Sequence, residues 1–163
     1  MMDNLLIIDD EKIVLDTLSV ALEDMPFEIF TADNPDEGMR LFVDKTPFLL
    51  ILDMNIGLSS GLDFIEKLIE YEKIRRKSNI EIDDDSRNVD ILTLKDVDFF
   101  VIVLTGYGSK KLMRECTSLG VEYFLSKPIH LHTLRGIVEK LYSLKANRNA
   151  LNQLKKKSTV LTN

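Results

Sequence analysis

Residues 48–53 read FLLILD, five apolar side chains followed directly by an aspartate. A short run that is apolar at every position is typical of a strand buried on both faces of a parallel sheet. Two other runs share this character and also end in a polar residue: LLIIDD at 5–10 and FFVIVLT at 99–105. Weaker strands are predicted at 27–31 and 122–125. These five segments predict the strands of one sheet.

Helical patterns separate the predicted strands. Apolar residues recur there at intervals of three or four, as they do on the buried face of a helix. The pattern is clearest at Ile13, Val14, Leu18 and Leu22, at Leu62, Ile65, Leu68 and Ile69, and at Leu134, Ile137, Val138, Leu141 and Leu144. Asn34 and Pro35 suit the cap and first turn of a helix over 37–44, and 110–119 predicts a short fourth helix. Five alternating strands and helices predict an α/β fold, a doubly wound parallel sheet with helices on both faces.

The composition is that of a globular domain with an acidic balance. The 163 residues are 45% hydrophobic and 29% charged, with a formal net charge of −6. Because binding to a phosphate backbone needs a basic face, we expect no direct binding of nucleic acid by this chain. The single cysteine, Cys116, excludes an internal disulfide, and the first residues lack the features of a signal peptide. No run approaches the roughly 18 apolar residues of a membrane span, so we expect a cytoplasmic protein without membrane contact.

Acidic residues follow two of the predicted strands. Asp9 and Asp10 come directly after the first strand, and Asp53 directly after the third. In a doubly wound sheet these strands can be neighbours, so that the three carboxylates converge beyond the carboxyl ends of the strands. A lone aspartate after a strand usually caps a helix or faces water, but three together repel one another unless a cation lies between them. Hard oxygen ligands of this kind favour Mg²⁺.

Two further polar residues complete the predicted site. The fourth strand ends in Thr105, and the fifth leads into Lys127. A hydroxyl and an ammonium would therefore meet the acidic group from the other side of the sheet edge. Together with Mg²⁺ they would neutralise phosphoryl oxygens while one carboxylate acts as the nucleophile. The central position of Asp53 makes it the predicted nucleophile of a phosphoryl-transfer site.

Four motifs in this order resemble the receiver domain of two-component response regulators, over about residues 3–146. The motifs are IIDDE at 7–11, LILDMN at 50–55, VIVLTG at 101–106 and FLSKP at 124–128. The resemblance implies a flavodoxin-like fold with strand order 2-1-3-4-5. It also implies that Asp53 accepts a phosphoryl group from the phosphohistidine of a sensor kinase, and that the chain catalyses only its own phosphorylation and dephosphorylation.

The resemblance further assigns roles by position. Asp10 and Asp53 would ligate Mg²⁺ directly, with the backbone carbonyl of Asn55 as a third protein ligand and Asp9 acting mainly through water. Thr105 would donate a hydrogen bond to a phosphoryl oxygen, and Lys127 would pair with the phosphoaspartate.

The resemblance also implies a switch at Thr105 and Phe124. Phosphorylation would draw Thr105 inward and let Phe124 rotate into the vacated space, which changes the face built from the fourth helix, fifth strand and last helix. Phe124 stands where the family often has Tyr, so that switching would depend on packing alone. The implied partners are a sensor histidine kinase or phosphotransfer protein, a downstream protein or missing output domain, and a second copy of the chain through this same face.

Two segments depart from the regular alternation. We predict a receiver domain over 1–146 with an acidic insertion at about 76–97, since an ordinary connection there would take only about 2–6 residues. Residues 80–98 carry seven acidic side chains and two basic ones, which favours a solvated surface loop or else a docking segment. Residues 147–163 are basic and are expected to form a helix extension or a linker.

Three other functions compete with a phosphoacceptor. A Mg²⁺-dependent aspartyl phosphatase commonly has a second acid two residues after its nucleophile, where this chain has Asn55. A flavin-binding module would need a phosphate cradle after the first strand, where Asp9 and Asp10 would repel phosphate. A degenerate receiver, used only as an interaction scaffold independent of phosphorylation, would not need the five polar site residues that this chain retains.

Overall fold

A five-stranded parallel sheet organises the part of the chain that the structure describes. The structure is a computed structural model that describes residues 2–78, 92–106 and 110–160, the last ten for their backbone only. The strands and the short hairpin after the third of them are β1 (Asp3–Ile8), β2 (Phe27–Ala32), β3 (Leu49–Asp53), β4 (Asn55–Ile56), β5 (Ser59–Ser60), β6 (Phe100–Thr105) and β7 (Tyr123–Ser126). The helices are α1 (Lys12–Leu22), α2 (Pro35–Lys45), α3 (Gly61–Ser78), α4 (Lys110–Ser118) and α5 (Leu131–Val160).

The order of the strands confirms the predicted fold class. The sheet runs β2-β1-β3-β6-β7 with all neighbours parallel, which is the 2-1-3-4-5 order once the hairpin strands are left out of the numbering. The antiparallel pair β4-β5 was not predicted and occupies the loop after β3. Helix α3 continues to Ser78, beyond the predicted stripe that ends at Ile69, and α5 continues to Val160, beyond the stripe that ends at Leu144. The boundaries of the five sheet strands differ from the predicted ones by one or two residues.

Apolar side chains are buried on both faces of the sheet. Even-numbered residues of β1 and β3, such as Leu6 and Leu50, join α2, α3 and α4 in one cluster, in which Phe64 is nearly fully buried. Right-handed crossovers explain this arrangement, because these three helices all lead toward β7 across the sheet and so lie on one face. The connection from β1 to β2 runs in the opposite direction, so α1 lies on the other face and buries Leu15 and Leu18 there.

The start of α2 follows the capping pattern that the sequence predicted. The Asn34 side chain accepts a hydrogen bond from the backbone N–H of Glu37 at 2.9 Å, and Pro35 is the first helical residue. Such a cap satisfies one of the N–H groups that have no partner within the helix. This fixes where the chain turns from β2 into the helix that covers β1.

The chain returns to the sheet through a segment that packs on the core. Residues 79–91 of the predicted insertion lie outside the described residues. Of the rest, Leu94 and Val97 are buried in the main cluster, and the N–H of Leu94 donates to the carbonyl of Leu119 at 2.8 Å. Arg76 of α3 also donates to the backbone carbonyl of Asp96. A solvated loop is therefore the wrong description for this last part of the predicted insertion, although its predicted limits stay a prediction.

The chain divides into two compact units, Met1–Ile129 and His130–Asn163. The second unit contains α5, which continues as a helix through Val160, so that residues 147–160 are helical rather than an extended linker. Among the described residues, no helix combines the length and hydrophobicity that a membrane crossing requires.

The packing of α4 predicts how its thiol reacts. Cys116 has no exposed surface, and burial raises the pKa of its thiol. Because the thiolate is the reactive form, we expect a thiol reagent to modify the folded protein far more slowly than the protein unfolded in urea. With a reagent that releases a chromophore when it reacts with a thiol, the absorbance measures the rate for the folded and for the unfolded protein. A Ser118→Cys variant is the matched control, because Ser118 is exposed on the same helix and its added thiol should react at once. Equally fast reaction of Cys116 would contradict the packing of α4.

Candidate functional site

Three carboxylates converge at the carboxyl edge of the sheet. Asp9 and Asp10 follow the end of β1, and Asp53 is the last residue of β3, the neighbouring strand. One oxygen from each of the three lies within 4.8 Å of the others. Asp9 is fully buried and Asp53 nearly so, while Asp10 is exposed. The structure thus brings together the three acids that the sequence placed at this edge.

The Lys127 ammonium lies among these acids. Its Nζ donates to Asp9 Oδ2 at 2.8 Å, to Asp53 Oδ2 at 3.0 Å and to Glu11 Oε1 at 3.1 Å. Lys127 follows β7 directly, and its backbone N–H donates to the carbonyl of Thr105 at 2.8 Å. The continued ladder between β6 and β7 therefore positions the side chain that joins the ends of β1 and β3.

The protonation of the site follows from burial and pairing. Burial raises the pKa of Asp9 above its ordinary value, although the hydrogen bond from Lys127 acts in the opposite direction. Burial also disfavours the charged form of Lys127, but hydrogen bonds to Asp9, Asp53 and Glu11 outweigh it and raise the pKa of this ammonium. Lys127 is therefore a permanent cation at physiological pH.

The loop after β3 is tied to the acids by backbone donors. The N–H of Asn55 donates to Asp53 Oδ1 at 3.2 Å, and the N–H of Gly57 donates to Asp10 Oδ2 at 3.0 Å. Gly57 adopts a φ of 60°, a left-handed conformation that costs glycine nothing. The β4-β5 hairpin is thus held against the acidic edge. The predicted ligand role of the Asn55 carbonyl stays a prediction.

Thr105 and Phe124 occupy the other side of the edge. Thr105 ends β6, is 5% exposed, and its hydroxyl donates to the carbonyl of Gly106 at 3.2 Å. Phe124 lies on the adjacent strand, is half-buried and packs against the main apolar cluster. Tyr107, which follows the VIVLTG motif directly, lies outside the described residues. The hydroxyl and the ring thus lie on neighbouring strands, as a coupled switch would require.

The charges and donors of the site fit a magnesium ion. Among the described residues of this edge, the carboxylates of Asp9, Glu11 and Asp53 accept from the Lys127 ammonium, and an oxygen of Asp10 lies within 4.8 Å of Asp9 and Asp53, which leaves a surplus of negative charge. A divalent cation would offset most of this surplus, and carboxylate oxygens are the donors that Mg²⁺ prefers. The close spacing of the three aspartates allows them to share one ion or its waters.

Sequence reasoning missed three residues of this edge. Glu11 lies in the IIDDE motif, which by itself predicts no role for it, yet it is the third acceptor for Lys127. Gly57 holds Asp10 through its N–H. At Gly61, the first residue of α3, a Cβ would lie only 2.6 Å from the carbonyl oxygen of Asp53 and 2.9 Å from Met54 Cα. The position of Glu11 directly after Asp9 and Asp10 was a visible signal for its role. The two glycines act through contacts that no local pattern reveals.

The family model for the response regulator receiver domain matches residues 5–80, which run from within β1 through α3 and carry Asp9, Asp10 and Asp53. This match, together with the sheet order and the residues at its edge, decides the family. The chain contains a response regulator receiver domain. The resemblance noted in the four sequence motifs is thereby confirmed.

Curated relatives of this receiver include both short and long proteins. Sporulation initiation phosphotransferase F of Bacillus subtilis is 24% identical over 147 residues, which cover 90% of this chain and 99% of the relative. The acid tolerance regulatory protein ActR of Sinorhizobium medicae is 31% identical over 125 residues, covering 77% of this chain. The receiver spans only 52% of that protein, and about half of several other regulators.

Solved structures agree with the receiver fold. A CheY-like response regulator receiver domain protein from Methanospirillum hungatei superposes with a TM-score of 0.66 at 22% sequence identity. The superposition covers 90% of this chain and 99% of the other. At this level of identity the likeness concerns the fold alone.

The close approach at Gly61 predicts a cost for adding a single methyl group. In a Gly61→Ala variant, the new Cβ would meet backbone atoms that cannot move independently, so we expect a loss of about 1–3 kcal/mol in the free energy of unfolding. Urea denaturation measures it. Gly136→Ala is the matched control, since outside the nearby backbone of α5 no described atom lies within 4 Å of its Cβ, and alanine should stabilise α5 by up to about 1 kcal/mol. Equal stability of the two variants would contradict the packing of α3 against Asp53.

Proposed function

We propose that the receiver is a phosphoacceptor in which Asp53 takes a phosphoryl group from the phosphohistidine of a sensor kinase or phosphotransfer protein. The observation that carries this proposal is the placement of Asp53, which is 3.0 Å from the Lys127 ammonium and within 4.8 Å of two further carboxylates. A carboxylate that only stabilised the fold would not need acidic neighbours at this distance. The same arrangement suits a nucleophile whose negatively charged substrate is met by cations.

The proposed transfer needs one nucleophile and one cationic side chain. A carboxylate oxygen of Asp53 forms the new bond to phosphorus, while the bond between phosphorus and the donor imidazole nitrogen breaks and leaves its electron pair on that nitrogen. Lys127 pairs with the negatively charged phosphoryl oxygens. The Thr105 hydroxyl, which donates to the Gly106 carbonyl in the structure, turns to donate to one of these oxygens. Positioning and electrostatic stabilisation provide most of the catalysis in such transfers.

Asp10 and Asp53, with the carbonyl of Asn55, are the proposed direct ligands for Mg²⁺, and Asp9 would act mainly through water. When bound, the ion supplies positive charge to the phosphoryl oxygens and so lowers their repulsion by the acidic edge. Asp9 also keeps Lys127 oriented through its 2.8 Å hydrogen bond. The chain would catalyse only its own phosphorylation and dephosphorylation.

The proposed output is a change in the surface near α4 and β7. Movement of the Thr105 hydroxyl toward the phosphoryl group would open space beside β6, and the half-buried Phe124 ring would enter it. Without a hydroxyl on this ring, the change would depend on packing. Formation of a homodimer through this side of the domain remains a prediction.

Receiver domains interact with histidine kinases or phosphotransfer proteins and with output domains. The likeness to a sporulation initiation phosphotransferase over nearly the whole of that protein supports a role in a phosphorelay. The regulators of which this receiver spans about half support coupling of the receiver to an output domain. We propose a cytoplasmic phosphorelay.

Phosphorylation at Asp53 can be tested with a small donor. Incubation with acetyl phosphate and Mg²⁺ should add the mass of one phosphoryl group, because the Asp53 oxygen displaces acetate from phosphorus. Intact-protein mass spectrometry measures the adduct. It should be absent without Mg²⁺ and absent from an Asp53→Asn variant.

An Asp44→Asn variant is the matched control, because Asp44 is an exposed carboxylate on α2 that pairs with its neighbour Lys45. It should be phosphorylated like the unchanged protein. Absence of an adduct from the unchanged protein would favour the scaffold alternative, and repeated turnover of a phosphate ester would favour the phosphatase.

The proposed switch depends on a hydroxyl at Thr105. A Thr105→Val variant keeps the shape of the side chain but has no donor for a phosphoryl oxygen. We expect beryllofluoride, a mimic of the phosphoryl group, to shift the NMR signals of the Phe124 ring in the unchanged protein and to leave them nearly unmoved in the variant. Equal shifts in both proteins would show that Phe124 responds without the hydroxyl and would contradict the switch.

A further inference from the structure

The Lys127 ammonium has no N–H left for a phosphoryl oxygen. An ammonium carries three donors, and those of Lys127 have three carboxylate acceptors, on Asp9, Asp53 and Glu11. All three contacts are 3.1 Å or shorter. Before Lys127 can donate to an incoming phosphoryl group, one of these acceptors must be released.

The three acceptors differ in what their release would cost. Asp9 has no exposed side-chain surface and Asp53 only 5%, so that either would leave an uncompensated charge in the interior. The Glu11 side chain is 58% exposed and would simply become hydrated. Glu11 is therefore the acceptor that exchanges most easily.

The side chain of Glu11 is also not needed to cap its own helix. It occupies the N-cap position of α1, where a side chain commonly accepts from the first turn, but the Glu11 side chain makes no such bond. Its backbone N–H is instead fixed by Asp9 Oδ1 at 2.9 Å. The backbone of Glu11 is thus anchored beside the site, while its carboxylate accepts from Lys127, the residue after β7.

We propose that Glu11 is a positioning residue that occupies the third donor of Lys127 before phosphorylation and yields it to a phosphoryl oxygen. The inference rests on the proposed function of Asp53 and adds a competitor for its cationic partner. The Glu11 contact holds Lys127 in place. The third N–H of Lys127 becomes available to a phosphoryl oxygen only when Glu11 releases it. Weakening this contact should therefore speed phosphorylation.

Two substitutions separate this contact from the charge of Glu11. Glu11→Gln keeps the length of the side chain but loses the charge, whereas Glu11→Asp keeps the charge but shortens the reach to Lys127. We expect both variants to be phosphorylated by acetyl phosphate about two- to fivefold faster than the unchanged protein, the range expected for loss of an exposed ion pair. Asp16→Asn, an exposed acid on the same helix that pairs with Lys12, should react at the unchanged rate.

A second measurement needs neither donor nor metal. The ammonium protons of Lys127 are observed through their ¹⁵N signal, which is assigned by its loss in Lys127→Arg. In the unchanged protein these protons should be protected from exchange with water. Both Glu11 variants should reduce this protection, while thermal unfolding confirms that they remain folded.

The outcomes separate the two proposals. Faster phosphorylation and lower protection in both variants support the role of Glu11. Acceleration of Glu11→Gln alone would reveal a general effect of charge and overturn the role, as would unchanged rates beside normal phosphorylation of the unchanged protein. If the unchanged protein forms no adduct at all, the proposed function fails and the role of Glu11 fails with it.

Discussion

The buried carboxylate of Asp9 is the constraint on which the rest of the site depends. A charge without exposed surface is strongly unfavourable unless a counter-charge and hydrogen bonds accompany it, and here Lys127 and the N–H of Glu11 provide them. The same ammonium reaches Asp53 on the central strand. One cation therefore joins three strand ends, and any group that engages Lys127 acts on all of them.

Backbone hydrogen bonds carry this geometry beyond the ends of the strands. The N–H of Met54 donates to the carbonyl of Leu104, and that of Lys127 to the carbonyl of Thr105. Each residue that follows a strand is thus placed by the neighbouring strand. Met54 makes two further contacts. Its carbonyl accepts a hydrogen bond from the N–H of Gly61, and its sulfur lies 3.9 Å from the sulfur of Cys116. The loop that follows Asp53 consequently contacts both α3 and α4 through Met54, and these contacts provide a route for a change at Asp53 to reach both helices.

The sequence predicted the sheet and its acidic edge because both depend on local signals. Apolar runs show where strands lie, and parallel strands place the residues after them at one edge, which was enough to bring Asp9, Asp53 and Lys127 together. The β4-β5 hairpin was missed because strands of two residues have no periodicity to recognise. The contact between Glu11 and Lys127 joins residues 116 positions apart. Such a contact depends on the finished fold, and no spacing within either motif could indicate it.

The position of the extra residues before β6 explains why the fold tolerates them. They enter the sheet at the start of a strand, and in a parallel sheet this is the edge opposite the carboxyl ends. Here Leu94 and Val97 fix the returning chain to the core, and Phe100 donates to the carbonyl of Phe48 at 2.8 Å. The strand therefore begins from a fixed point whatever the length before it, since lengthening a loop adds little to its closure entropy. Variation at this edge can accordingly alter which surfaces the receiver offers while Thr105, at the far end of β6, keeps its place.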